Sequence, residues 1–218
     1  VPDALSDFEA GAVPEAYITA HDALVTQGAL VPGETVLIHA VGSGVGVAAL
    51  QIAHALGCKV LGTSRHDAKL AKATELGLDL PIDVTTQLFD DVVMRATHSR
   101  GVDLIIDFVG ADYFERNLNA LAIKGRLVFV STLSGAQTEL SIATLMRKRL
   151  RLAGTTLRNR PLDEKVAATR AFADSFLPLL ANRSIVVPID RVYPLAEAAA
   201  AHAYMESNEN FGKIVLSI

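Results

Sequence analysis

The chain has 218 residues, enough for one large domain or a domain plus part of another, and half of them are apolar, as expected of a well-buried globular protein. A net charge of −4 speaks against a nucleic-acid binder held by phosphate contacts, and the short basic run Arg147-Lys148-Arg149 with Arg151 reads as a solvated helix end. The single cysteine, Cys58, excludes an internal disulfide and a cysteine-built zinc site, and it fits a reducing compartment, the cytosol.

In chain order, residues 1–33 hold helix-like segments. Val13-Pro14 opens a stretch running through Ala16, Ala20 and Leu24, and Val31-Pro32-Gly33 is a turn. Short runs rich in Val, Ile and Leu predict strands at 35–39, 59–63, 79–83, 102–107, 125–131 and 150–155. Helices are predicted between them at 44–56, 66–76, 86–98, 111–121 and 141–149. Asp67 and Asp112 cap or charge helix starts, and Gly57, Gly77 and Gly125 follow helix ends. This alternation predicts an α/β fold with a doubly wound parallel sheet in the order 3-2-1-4-5-6.

Pro161 opens a long helix with Val166, Arg170, Ala173, Phe176, Leu177 and Leu180 on one mostly apolar face. An extended stretch, 185–193, follows and is broken by Pro188. Pro194 opens an alanine-rich helix to Met205, and 213–218 is a strand. A strand placed there does not belong naturally to the six-stranded sheet. It reads as a return to another domain, hardly present, so that the sequence is expected to be incomplete at its front.

Residues 35–58 carry no Asp, Glu, Lys or Arg, but the glycine cluster, His39, Gln51 and His54 interrupt any membrane-spanning reading. The acidic N-terminus does not resemble a signal peptide. The six histidines are scattered without metal-ligand spacing and read as structural or solvated.

The chemistry concentrates at Val41-Gly-Ser-Gly-Val-Gly46, between the first strand and the following helix. Relative to Gly-x-Gly-x-x-Gly, Val41 and Ser43 replace the first two glycines. Gly44 would admit a pyrophosphate to the backbone, and Gly46 would let helix pack close to strand. At the end of the second strand an NAD site places a carboxylate; here stand Ser64 and Arg65, with Lys69 beyond. A hydroxyl and two cations suit a 2′-phosphate, so NADP is favoured over NAD. Backbone groups of Val109 and Thr132, after the fourth and fifth strands, could hold the carboxamide or ribose. Asp107 could either bind there or cap the next helix.

Five motifs carry a family resemblance: Val36-Leu-Ile-His-Ala-x-x-Ser-Gly-Val-Gly46, Gly101-Val-Asp-Leu-Ile-Ile-Asp107, Gly154-Thr-Thr-Leu-Arg-Asn-Arg160, Ala201-His-x-Tyr-Met-Glu206 and Phe211-Gly-Lys-Ile-Val-Leu216. With them the chain resembles the zinc-free quinone oxidoreductase branch of the medium-chain dehydrogenase/reductase superfamily. The resemblance implies NADPH-dependent reduction of a quinone, by hydride or single electrons, in a cytoplasmic homodimer that pairs along the fifth and sixth strands, here Leu150 to Thr155. Neither nucleic acid nor membrane is an expected partner. It implies that Ser43, Gly44, Val45, Gly46 and Val47 touch the pyrophosphate and that Ser64, Arg65 and Lys69 hold the 2′-phosphate. Thr19, Leu157 and Arg158 would approach the nicotinamide, and Gly212 and Lys213 would close over the cofactor.

Relatives often carry a Tyr after the third strand near the adenine ribose; here it is Val84. The family also begins with a GroES-like barrel that walls the substrate cleft. Residues 1–33 would then be lead-in helices from that barrel, 34–160 the NADP-binding domain, and 161–218 helices and a strand returning to it. This span alone is expected to bind NADPH weakly and turn over poorly, and no catalytic acid or base is assigned. The alternatives are an enoyl reductase module of a polyketide or fatty-acid synthase, and a non-catalytic, crystallin-like NADPH binder.

Overall fold

Ser6 starts the first helix in this computed structural model, which describes residues 1–218. Its hydroxyl accepts the Glu9 N–H (3.3 Å), and the Glu9 carboxylate takes the Ser6 N–H (2.8 Å), which satisfies two otherwise orphaned donors. Helix α1 therefore runs Asp7–His21, with Pro14 in its interior rather than at its opening, and continues as a π-helical turn, Asp22–Gln27. The Ser-x-x-Glu signal outweighs the single backbone bond that proline forfeits.

The sheet contains β1 (Thr35–Ile38), β2 (Lys59–Ser64), β3 (Leu80–Asp83), β4 (Val102–Asp107), β5 (Leu121–Phe129) and β6 (Arg151–Gly154). Every neighbouring pair is parallel, and the order is β3-β2-β1-β4-β5-β6, as expected. Between the strands lie α2 (Gly44–Ala55), α3 (Asp67–Glu75), α4 (Phe89–Ala96), α5 (Phe114–Ala120) and α6 (Ile142–Lys148). Successive strand residues point to opposite faces, so the central strands feed two cores. Val36, Ile38, Leu104 and Ile106 pack with α1 and α2, whereas Leu37 and Ile105 pack with Phe89, Val93, Phe114 and Leu118. Each such fully buried aliphatic side chain contributes about 1.5–3 kcal/mol.

Three expectations need correction. Strand β5 begins at Leu121, so Gly125 lies inside it; the left-handed residue is Lys124 (φ 66°), beside a register shift against Val102 and Leu104. That irregularity removed the turn-like reading of the glycine. The helix after β4 begins as a 3-10 turn, Ala111–Tyr113, before α5. In α7 (Leu162–Ala181) the buried stripe is Ala168, Phe172, Phe176 and Leu180, while Val166 and Arg170 are exposed. Phe172 and Phe176 pack edge-on against His21, and Phe172 also meets Tyr17, which sets the helix rotation.

The remaining strands, β7 (Ile189–Pro194) and β8 (Lys213–Ser217), form a separate parallel pair around a 3-10 turn, Leu195–Glu197, and α8 (Ala198–Glu206). They are tied to the main sheet at the carboxyl end of β1 and at α2. The Gly212 N–H donates to Gly42 O (3.0 Å), and Gln51 on α2 bonds both backbone groups of Val186, whose carbonyl also accepts the Tyr17 hydroxyl (2.5 Å). No helix is long and apolar enough to cross a membrane.

Candidate nucleotide-binding cleft

Helix α2 starts directly off the carboxyl end of β1. Ser43 is its N-cap: its hydroxyl accepts the Gly46 N–H (3.1 Å), and its carbonyl accepts the Val47 N–H (2.8 Å). The Val45 N–H has no acceptor in the protein, and the Gly44 N–H faces only the Gly212 carbonyl across the short parallel bridge between Ser43 and Gly212. Backbone donors at the positive end of a helix are the parts of an anion site. Ser43 thus replaces a glycine with a cap, and Val41 replaces another as fully buried core.

The two glycines in this turn serve different ends. A Cβ on Gly46 would lie 2.4 Å from the Ala40 carbonyl oxygen, so only glycine lets α2 sit this close to β1. At Gly44 the nearest atom is the Lys213 side chain, 2.6 Å from such a Cβ. Lys213 therefore lies across the turn, and its amino group reaches Glu15 (3.4 Å). Gly212 bridges to Ser43.

Two clefts flank the α2 N-terminus. The first, about 550 Å³, brings Ser43, Ser64, Arg65, Lys69 and Val109 together. Arg65 is exposed and Lys69 half-buried; burial lowers the Lys69 pKa, Arg65 adds to this, and Asp190 opposes it. The Ser64 hydroxyl accepts the His66 N–H (3.1 Å). The second cleft, about 790 Å³, gathers Thr19, Val45, Leu157 and Arg158 around the apolar Phe108 and Val130. Thr132 lines neither cleft; its carbonyl accepts the Gly135 N–H (3.1 Å). Val47 turns its side chain into the core.

Asp107 does not cap the next helix: neither the 3-10 turn nor α5 has a side-chain cap, and Asp107 instead closes its own turn after β4. Asp107 is fully buried, and one carboxylate oxygen accepts the N–H groups of Val109 (2.6 Å) and Gly110 (3.1 Å). The other oxygen accepts from Asn117 (2.9 Å), which orients that amide with its oxygen toward His39 Nε2 (2.7 Å). His39 is then the neutral Nε2–H tautomer, an assignment that follows from the network, and its Nδ1 accepts from the Thr63 hydroxyl (3.0 Å). Burial keeps the His39 pKa below its ordinary value. Sequence reasoning missed Asn117 and this role of His39; a histidine at the end of a buried strand was the available signal.

A second missed device holds the Leu157–Arg158 segment. Arg160 donates to both carboxylate oxygens of the buried Asp22 (3.0 and 2.6 Å), and the Thr155 hydroxyl donates to Asp22 as well (2.5 Å). Lys165 donates to the Arg158 carbonyl (2.9 Å). Donors within residues 1–218 do not fit a zinc ion. No three His, Cys, Asp or Glu side chains converge, and Cys58 is buried with its thiol donating to Val31 O (3.3 Å).

A six-stranded parallel sheet in this order, with a glycine-turn helix N-terminus directly after its first strand, defines a dinucleotide-binding α/β domain. Residues 44–174 match the family described as zinc-binding dehydrogenase. The chain belongs to this family, within the medium-chain dehydrogenase/reductase superfamily whose motifs it carries. Among curated relatives it is 32% identical over 221 residues to a phenolphthiocerol/phthiocerol polyketide synthase of Mycobacterium tuberculosis, covering all of this chain and 10% of that one. It is 31% identical over 220 residues to a Pseudomonas aeruginosa quinone oxidoreductase, covering 99% of this chain and 66% of that protein. It therefore spans only part of the curated relatives' length. A mycobacterial protein solved with NADPH superposes with a TM-score of 0.90 at 28% identity, over 100% of this chain and 67% of the other.

Proposed function

We propose that this chain is the NADP(H)-binding part of a reductase that acts on a quinone. The observation that carries the reading is the first cleft, where the α2 N-terminus, with the Val45 N–H free, opens beside Ser64, Arg65 and Lys69 with no carboxylate at the end of β2. The pyrophosphate would lie on the N–H groups of that helix end, and the 2′-phosphate on Arg65 and Lys69. Thr19, Val45, Leu157 and Arg158 would hold the nicotinamide end in the second cleft, with Gly212 and Lys213 above the turn. Residues 34–160 form the cofactor unit in this reading, flanked by 1–33 and 161–218, with the β6 edge as the homodimer contact. When bound, NADPH supplies a hydride; reduction of a quinone then needs chiefly positioning and a proton source. The apolar wall of the second cleft, Phe108 and Val130, suits an uncharged planar ring.

A second reading, an enoyl reductase module, is supported by the 32% identity to a polyketide synthase of which this chain matches only a tenth. Calorimetric titration with NADPH and NADH, followed by cofactor-oxidation assays with a quinone and an enoyl thioester, tests both. The proposal expects NADPH to bind about tenfold or more tighter than NADH, and faster oxidation with the quinone. Preference for NADH would overturn the cofactor assignment. Turnover of the thioester alone would favour the module, and binding without turnover of either, even with a GroES-like barrel restored, a non-catalytic binder.

A further inference from the structure

Val84, at the end of β3, lines the first cleft but offers a small branched side chain without a flat face. Across the same cleft stands Tyr113, at the end of the 3-10 turn that follows β4. Its ring is held from behind. His39 meets it edge-on at 4.8 Å and 70°, and Phe89 at 4.9 Å and 44°. Because His39 is itself pinned by Thr63 and Asn117, the ring has little freedom to lose when a ligand arrives. Tyr113 is half-buried, and its hydroxyl makes no hydrogen bond within the protein, although the other tyrosine on a main-sheet helix, Tyr17, is fully engaged. Arg65 and Tyr113 both line this cleft, so a cation and the aromatic ring border one space.

We propose that Tyr113 is the platform on which the adenine of the nucleotide stacks, supplying from the β4 side the aromatic contact that Val84 cannot make from the β3 side. This rests on the nucleotide reading of the first cleft. A purine presents a π-face of the right size to a fixed aromatic ring, and stacking of this kind tolerates a site with few hydrogen-bond donors. The Tyr113 hydroxyl is left free to meet the rim of the base or its ribose.

The test is isothermal titration of the 218-residue chain with adenosine 2′,5′-bisphosphate, which carries the base and the 2′-phosphate but no nicotinamide. Tyr113→Leu, which fills the space behind without a flat face, should weaken binding by about tenfold, whereas Tyr113→Phe should stay within about twofold of the parent. Adding Val84→Tyr to the Tyr113→Leu chain should recover most of the loss, an outcome that a purely structural role for Tyr113 does not produce. Thermal melting of each variant accompanies the titration; if Tyr113→Leu does not fold, Tyr113→Trp replaces it and should bind at least as tightly as the parent. Parent-like binding by Tyr113→Leu, or weakened binding by a folded Tyr113→Trp, overturns the platform. An Arg65→Ala/Lys69→Ala chain separates the two readings. If it loses binding while Tyr113→Leu does not, the cleft is the nucleotide site and the platform alone is wrong. If the parent does not bind the bisphosphate, the nucleotide reading itself falls, and the platform with it.

Discussion

Asp22 and Arg160 meet through two hydrogen bonds of 3.0 and 2.6 Å, across 138 residues of chain. Asp22 lies in the π-helical turn after α1, and Arg160 ends the segment that carries Leu157 and Arg158 into the second cleft. The carboxylate is 1% exposed and the guanidinium side chain 15%, so the pair is shielded from solvent screening. Burial pushes the Asp22 carboxyl up, but hydrogen bonds from Arg160 and Thr155 outweigh it and hold it below the usual carboxylate range.

Removing the charge by Asp22→Asn should therefore cost about 3 kcal/mol of stability, since it leaves the guanidinium without its counter-charge. Urea unfolding of parent and variant measures this. Arg160→Lys should fall between them, because a point charge cannot replace the two-pronged bond. A variant within about 0.5 kcal/mol of the parent would mean the clamp contributes nothing.

Acid should weaken the fold in two steps. His39 and His21 are both buried and held below their ordinary value of 6.5 by burial, with Asp107 and Asp22 respectively opposing the shift. In the unfolded chain both bind protons near pH 6.5, while in the folded chain they do not. Stability is thus full above about pH 6.5 and falls as pH drops below it. The second step lies below the ordinary carboxylate values. Asp22 is held low there, and Glu9 is lowered to about 2, chiefly by its bond with Arg183, so that their contributions fade as the pH falls toward their folded values. Melting temperatures from pH 8 to 3 check both steps, and His39→Gln should flatten the first.

Gly46→Ala and Gly44→Ala should behave differently although they are two residues apart. The first new methyl meets the Ala40 carbonyl and the Val41 backbone, which cannot move without parting β1 from α2, so a loss of about 2–3 kcal/mol is expected. The second meets only the flexible end of Lys213, which can swing aside, so stability should change little. Gly44→Ala should instead weaken NADPH binding by crowding the turn. Equal stability losses in the two variants, read by denaturant midpoint, would contradict this account.

Replacing Arg65 and Lys69 together by alanine should erase most of the NADPH-over-NADH preference while leaving NADH affinity within about twofold. In the proposed site this would remove two charge-assisted contacts to a 2′-phosphate, each about 1.5–3 kcal/mol at most when shielded and less at an exposed site such as Arg65. Salt should reproduce part of the effect in the parent, and titrations at low and high ionic strength check that.

Much of the architecture was legible because its signals are local and periodic. Val36 to Ile38, Leu104 to Ile106 and the glycine turn at 42–46 announce buried parallel strands and a phosphate-type turn through residue type alone, and all six expected strands are present, the fifth starting four residues earlier than its run. That Ser64 and Arg65 fall at the end of β2 and Lys69 in the first turn of α3 was legible for the same reason, and the structure brings the three into one cleft. Boundaries that depend on partners were not. The start of α1 rests on a reciprocal cap, the length of β5 on a register shift against β4, and the rotation of α7 on aromatic contacts with His21 and Tyr17.

What the sequence by itself determined is the order of elements and the chemical character of each strand end, because backbone preference and the two-residue strand period act within a few residues. Only the tertiary structure decided which of those side chains remain free. Asp107 and His39 stand at strand ends as openly as Ser64 does in the sequence, yet they are consumed in a buried network with Asn117 and Thr63, while Tyr113 is left facing the cleft. Buried polar groups must find partners, and those partners lie up to 78 residues away in the chain, so their allocation is settled only when the sheet closes.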